Sequence, residues 1–301
     1  MTRSLHRMGI LVDTVGGERR MRRFREGWPA TSSAGVKFHR VGPVQFRYRE
    51  AGDGRTIVFT ADPPMTLENY DELIATFSPA YRVIVVELPA MGFSAASTAF
   101  GFGFRETNDL LARFLREVCG EGSVFAFSCV ASLAALDIAA RMPDLASRLC
   151  LLQGGDFAAF ARWKAGRDPR GVLGRPVIGQ FVMRKLAPKR MSAWYSVSVG
   201  RREKIDGFCR CAERSFGHGA AWSLASAYQG YMSETGDTPV PAQPMLSIWG
   251  SADGSHPPQN VHTLRALRPD VRCETLDALG HTPELEDPAA VFDIIRRFDP
   301  H

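Results

Sequence analysis

The stretch Val124-Phe125-Ala126-Phe127-Ser128-Cys129-Val130-Ala131-Ser132 decides how the chain is read. An apolar run stops at Ser128-Cys129. An alanine-rich segment, Val130 to Arg141, follows at once, and Met142-Pro143 ends it. Strand, sharp turn and helix in that order hold a reactive side chain on a strained turn above a buried strand. Two residues compete for the tip. If Ser128 is the nucleophile, Ala126 and Val130 stand where small residues are wanted, and Val130 crowds the turn. If Cys129 is, Phe127 and Ala131 stand there, and Ala131 and Ser132 let the helix approach the sheet. Cys129 is therefore preferred, with Ser128 as the alternative. Phe127 is the residue this register leaves unexplained. Against both stands the plainer reading that the two are small core residues, as free cysteine often is.

Outward from the elbow, buried strands are expected at Tyr81–Leu88, Ser147–Leu152, Met245–Trp249 and Arg272–Leu276. Helical stretches follow them at Thr107–Val118, Asn260–Arg268 and Ala289–Phe298. Such alternation predicts an α/β fold, a mostly parallel sheet with helices on both faces. Working groups in such sheets sit on loops at the carboxyl ends of strands. The elbow, Asp156, Asp253 and His281 all follow expected strands. Val36 to Glu50 alternates apolar and polar residues and predicts an antiparallel pair. Over 157–238 the alternation breaks, and arginine, aromatic and methionine residues predict an inserted helical cap. The core is then 36–156 and 239–301. Residues 1–35 carry Arg19-Arg20-Met21-Arg22-Arg23 and no sustained period, and a disordered or loosely attached basic extension is expected.

With 301 residues, 45% of them hydrophobic, the chain can bury a sizeable core. No apolar run reaches the roughly 18 residues of a spanning helix, and the arginine-rich start lacks an apolar signal core. A cytoplasmic protein with no membrane or nucleic-acid partner is expected. The six cysteines lack the spacing of a zinc site, so no metal and no cofactor is expected, and Cys209 and Cys211 read as ordinary cap residues. The net charge of +5 is uneven: residues 155–240 hold fourteen Lys/Arg against seven Asp/Glu. Arg184, Lys185, Lys189 and Arg190 in that segment suit an acidic carrier protein, although a solvated basic face reads equally well.

Four segments in order resemble the α/β-hydrolase superfamily: Glu87-Leu88-Pro89-Ala90-Met91-Gly92-Phe93-Ser94, the elbow, Trp249-Gly250-Ser251-Ala252-Asp253, and Gly280-His281-Thr282-Pro283-Glu284-Leu285-Glu286-Asp287-Pro288. The resemblance implies the fold more firmly than the reaction. Asp156, 27 residues after Cys129, stands one strand earlier than the superfamily's usual acid, where Asp253 is. A Cys-Asp-His triad with the acid in the earlier place is similar to the stand-alone Dieckmann cyclases that form tetramates and pyridones. That resemblance implies Cys129, Asp156 and His281 as catalytic residues, with Asp253 as the alternative acid. It also implies a phosphopantetheine-bound substrate on an acyl or peptidyl carrier protein.

The chemistry then expected is acyl transfer to Cys129, with His281 as base and a carboxylate fixing its tautomer. Carbanion attack on the enzyme thioester closes a ring. Oxyanion donors are expected from the amides of Val130 and Asp62, where Pro63 has no N–H to offer. His256 reads as a loop residue. The competing expectations are a thioesterase or esterase with the same triad, and a non-catalytic binding protein on a degenerate scaffold.

Overall fold

A computed structural model of the chain describes residues 2–27 and 35–300. The first half runs α1 (Thr2–Gly27), β1 (Val36–Val41), β2 (Val44–Ala51), β3 (Thr56–Ala61), α2 (Asp71–Phe77), β4 (Arg82–Glu87), β5 (Ala95–Ala96), α3 (Phe104–Phe114), β6 (Ser123–Ser128), α4 (Ala131–Arg141) and β7 (Ala146–Leu152). Next come α5 (Phe157–Arg167), α6 (Ile178–Ser198), α7 (Arg202–Gly217) and α8 (Leu224–Gln229). The chain returns to the sheet with β8 (Met245–Gly250), α9 (Thr263–Leu267), β9 (Arg272–Leu276), α10 (Pro283–Glu286) and α11 (Pro288–Phe298).

The sheet has the order β1-β2-β4-β3-β6-β7-β8-β9, with the short β5 beside β2. β1 and β2 are antiparallel, as their alternation predicts; β2 is also antiparallel to β4 and β5, and the pairings β4–β3, β3–β6, β6–β7, β7–β8 and β8–β9 are parallel. Val83, Ile84, Val85 and Val86 are all fully buried. A strand covered by helices on both faces has no wet side, so its sequence is continuously apolar rather than alternating. One core layer gathers Phe46, Phe114 and Leu136; the other gathers Phe59, Phe77 and Ile295. Phe127 has its explanation here. Its ring stacks on Phe125, with centroids 4.9 Å apart, on one face of β6, so a large residue beside the elbow points into the core.

The extension is not the disordered segment expected. It forms α1, whose Ile10, Asp13, Thr14 and Met21 are buried. Asp13 accepts hydrogen bonds from Arg184 (2.6 Å) and from the Ser226 amide and hydroxyl (3.1 and 2.6 Å). Residues 28–34 of the extension lie outside the described residues. Arg184 is consequently not a free docking cation: it is held by Asp13 and lies 3.8 Å over the Trp222 ring. No described helix is long and apolar enough to cross a membrane.

Candidate active site

At the end of β6 the backbone turns through Cys129 with φ +50°, and α4 starts two residues later. A non-glycine residue in this left-handed region costs about 1–3 kcal/mol and persists only where its surroundings hold it. The Cys129 amide donates to Leu152 O (2.8 Å), and the Ser132 amide donates to Cys129 O (3.0 Å). Gly154 lies so close to this turn that a Cβ there would come within 2.6 Å of the Ser132 side chain. Ser128 faces the other way. Its hydroxyl donates to Glu284 Oε1 at 2.9 Å, and its amide donates to Thr60 Oγ1.

His281 reaches the elbow from the loop after β9. Its amide donates to Ser198 O (2.6 Å) at the end of α6, and Gly280 fits there only because a Cβ would overlap that carbonyl. Nδ1 of the imidazole pairs with Asp253 Oδ2 at 2.9 Å, and Nε2 pairs with Asp62 Oδ2 at 3.3 Å. The donor atoms of Cys129, His281 and Asp62 all lie within 4.8 Å of one another. Trp194 from the cap meets the imidazole edge-on at 5.4 Å.

Asp156 is not at this site. It is the N-cap of α5, where its Oδ1 accepts from the Ala159 amide at 2.6 Å. The expectation of Asp156 as partner to His281 is therefore corrected in favour of the alternative, Asp253. A carboxylate just before a helix finds unpaired amides at hand, and this one is satisfied by them. Asp253 is anchored on every side: Gln153 Nε2 donates at 2.7 Å, the Ser255 amide at 2.7 Å and His256 Nδ1 at 3.0 Å. His256 is thus more than a loop residue. It shares Asp253 with His281 and stacks on it, centroids 4.9 Å apart and planes 8° apart.

Sequence reasoning missed Gln153, His256, Glu284 and the carboxylate of Asp62. The first three had faint signals: Gln153 directly follows β7, His256 is three residues past Asp253, and Glu284 is three past His281. Asp62 was expected to give its amide. Its side chain is what meets His281, and Pro63 and Pro64 after it have no N–H.

These neighbours set the charges. Burial pushes Asp253 up, and the two histidines more than reverse this, holding it well below the usual carboxylate range. Burial pulls His281 down, but Cys129, Asp253 and Asp62 raise it well above its ordinary value. The Cys129 thiol is pushed up to about 11, first by burial and then by the charge of Asp62; His281 and the Val130 amide pull it back. Glu284 is pushed up to about 7 by burial. A small cleft lined by Val130, Leu133, Phe157, Phe160, Trp163 and Tyr231 adjoins the elbow.

No protein-family model matches the chain. It is 25% identical over 239 residues to the pimeloyl-[acyl-carrier protein] methyl ester esterase of Neisseria meningitidis, covering 76% of this chain and 87% of that one. It is 21% identical over 236 residues to the biotin biosynthesis bifunctional protein BioHC of Teredinibacter turnerae. That match covers 75% of this chain, and the chain spans only 40% of that longer protein. Among solved structures, the Cif epoxide hydrolase from Acinetobacter nosocomialis superposes with a TM-score of 0.70 at 15% identity, over 95% of this chain and 96% of that one. With the parallel sheet and its helices in the same arrangement, the chain has the α/β-hydrolase fold.

Proposed function

We propose that the protein is a cysteine-dependent hydrolase that cleaves an acyl ester or thioester, with the acyl chain presented on a carrier protein. The observation that carries this reading is Cys129 on its left-handed turn, with His281 beside it and Asp253 on the far nitrogen. The likeness to an esterase whose substrate is linked to acyl carrier protein supports the substrate class. In this reading the form with a neutral imidazole, protonated on Nδ1 only, reacts: the Cys129 proton passes to Nε2 of His281 and the thiolate attacks the carbonyl carbon. The leaving alcohol or thiol takes the proton back. Water activated by His281 then cleaves the acyl-enzyme and restores the thiol. The Val130 amide provides one oxyanion donor.

One observation favours the Dieckmann cyclase as a second reading. The Asp62 carboxylate stands where an oxyanion donor was expected, beside Nε2 of His281. Negative charge there opposes an oxyanion but gives a proton acceptor for an acidic methylene between two carbonyls. The test is product analysis on purified protein given a simple acyl thioester and, separately, a β-ketoacyl-aminoacyl thioester. Free acid from both, lost in Cys129→Ala, supports the hydrolase. A ring from the second substrate replaces it with the cyclase. No turnover and no acylated Cys129 would leave a binding protein on a hydrolase scaffold.

A further inference from the structure

We propose that Asp62, Cys129 and His281 form a binding site for one zinc ion, and that bound zinc silences the nucleophile. The silencing rests on the functional reading above; the binding does not.

A carboxylate oxygen, a thiol sulfur and an imidazole nitrogen from three distant parts of the chain converge within 4.8 Å, all buried. Thiolate, imidazole and carboxylate are the ligands zinc takes, and three of them leave a fourth position open. His281 Nε2 and Asp62 Oδ2 are 3.3 Å apart. Tetrahedral coordination with bonds of about 2.0–2.3 Å puts ligand atoms about 3.3–3.7 Å apart, so this pair is already spaced for it.

The outer partner is also in place. A zinc-bound histidine usually donates its other N–H to a carboxylate, which orients the ring. Asp253 does this at 2.9 Å, and is itself fixed by Gln153, Ser255 and His256. The second convergent group, Asp253, His256 and His281, fails the same examination. There both histidines direct Nδ1 at one oxygen of Asp253, and that oxygen also accepts from Gln153. Its donor positions are spent on each other.

Charge points the same way. Among the described residues Asp62 has no Lys or Arg partner; its one ion pair is with His281. Glu284, fully buried and within electrostatic reach of Asp62 and His281, has an Oε2 with no hydrogen-bond partner. On binding, Zn²⁺ replaces the proton of the Cys129 thiol and any proton on Nε2 of His281, releasing them to solvent, and the sulfur lone pair engaged in the Zn–S bond makes the thiolate less nucleophilic.

Zinc titration by calorimetry on the full chain, paired with iodoacetamide labelling read by mass spectrometry, tests this. Wild type should bind one Zn²⁺ and so shield Cys129 from alkylation. Asp62→Asn, nearly isosteric, should weaken binding at least about tenfold, and Asp253→Asn by about ten- to a hundredfold through ring orientation. Cys211→Ser should change nothing. Unchanged affinity in Asp62→Asn, or loss of the site in Cys211→Ser, overturns the proposal. Matching melting curves without zinc show that each variant is folded, and Cys129→Ser, which keeps both other ligands, gives a second reading of the same site. Thioester turnover without zinc binding overturns only this inference. Zinc binding without turnover overturns only the functional reading.

Discussion

The loop after β8 and the loop after β3 each bring a carboxylate to His281, on opposite nitrogens. Asp253, on Nδ1, is also held by Gln153, the Ser255 amide and His256. Asp62, on Nε2, has among the described residues one ion pair, with the imidazole, at the longer distance of 3.3 Å, and two prolines follow it. A carboxylate fixed from four directions can orient a ring and do little else. One held by a single longer bond can exchange partners. The difference separates a positioning role for Asp253 from a reacting or ligand-binding role for Asp62.

The hardest test of that division is Asp253→Asn. An amide keeps the shape but can present N–H to Nδ1 and stabilise the wrong tautomer, and in a triad of this kind such a change lowers kcat about ten-thousandfold. Steady-state turnover of an acyl thioester should fall by about a thousandfold or more. A loss smaller than about tenfold would mean that Asp253 does not orient the working imidazole, and the comparison would collapse.

Glu284 sharpens the picture of the Asp62 side. Its ordinary value is 4.5, and burial lifts it to about 7 in the fold. Between those values the folded chain binds more protons than the unfolded one. Stability from this group is therefore present at low pH, falls as pH rises from about 4.5 to 7, and is fully lost above. The span corresponds to about 3 kcal/mol. Glu284→Gln cannot ionise and keeps an oxygen for Ser128. Its melting temperature should fall less than that of wild type between pH 5 and pH 8. Glu87, lifted to about 7 by its own burial, contributes equally to both proteins and cancels in the difference. Parallel slopes would show that Glu284 ionises freely beside Asp62.

Much of the scaffold was legible because its signals are local. Val83 to Val86 is apolar on both faces because helices cover both, and in β2 the alternate residues Val44, Phe46 and Tyr48 are buried on one face. Cys129 could be preferred over Ser128 because the small residues Ala131 and Ser132 follow it. What escaped was set by contacts between distant residues. Strand order pairs Cys129 with His281, but the carboxylate of Asp62 joins them through the β3-β6 neighbour, and no spacing encodes that. The same holds for α1, whose attachment depends on Asp13 finding Arg184, 171 residues away.

A smaller effect is expected at Asp62 itself. Its charge opposes the thiolate, so Asp62→Asn should bring the Cys129 thiol down from about 11. One unit of relief makes alkylation by iodoacetamide at neutral pH about tenfold faster. Hydrolysis should hold or rise in the same variant, whereas ring closure needing Asp62 as proton acceptor should fall. Slower alkylation would mean that Asp62 helps to remove the thiol proton, which reverses its place in the comparison.

The smallest effect belongs to the carboxylate that reaches neither nitrogen. Asp156 and Asp253 both follow a buried strand, and their sequence positions alone make either a fit partner for His281. The difference lies in the next residues. Asp156 is followed directly by α5, whose first-turn amides take its oxygen; Asp253 is followed by a loop, which leaves Oδ2 for the histidines. Asp156→Ala should lower stability by about 1 kcal/mol, the usual worth of an N-cap, seen as a modest drop in melting temperature. Turnover by the folded variant should stay at the wild-type level. If turnover instead fell as far as in Asp253→Asn, the acid would have to reach His281 from the earlier strand in the working enzyme. The cap of α5 would then have to open to release it.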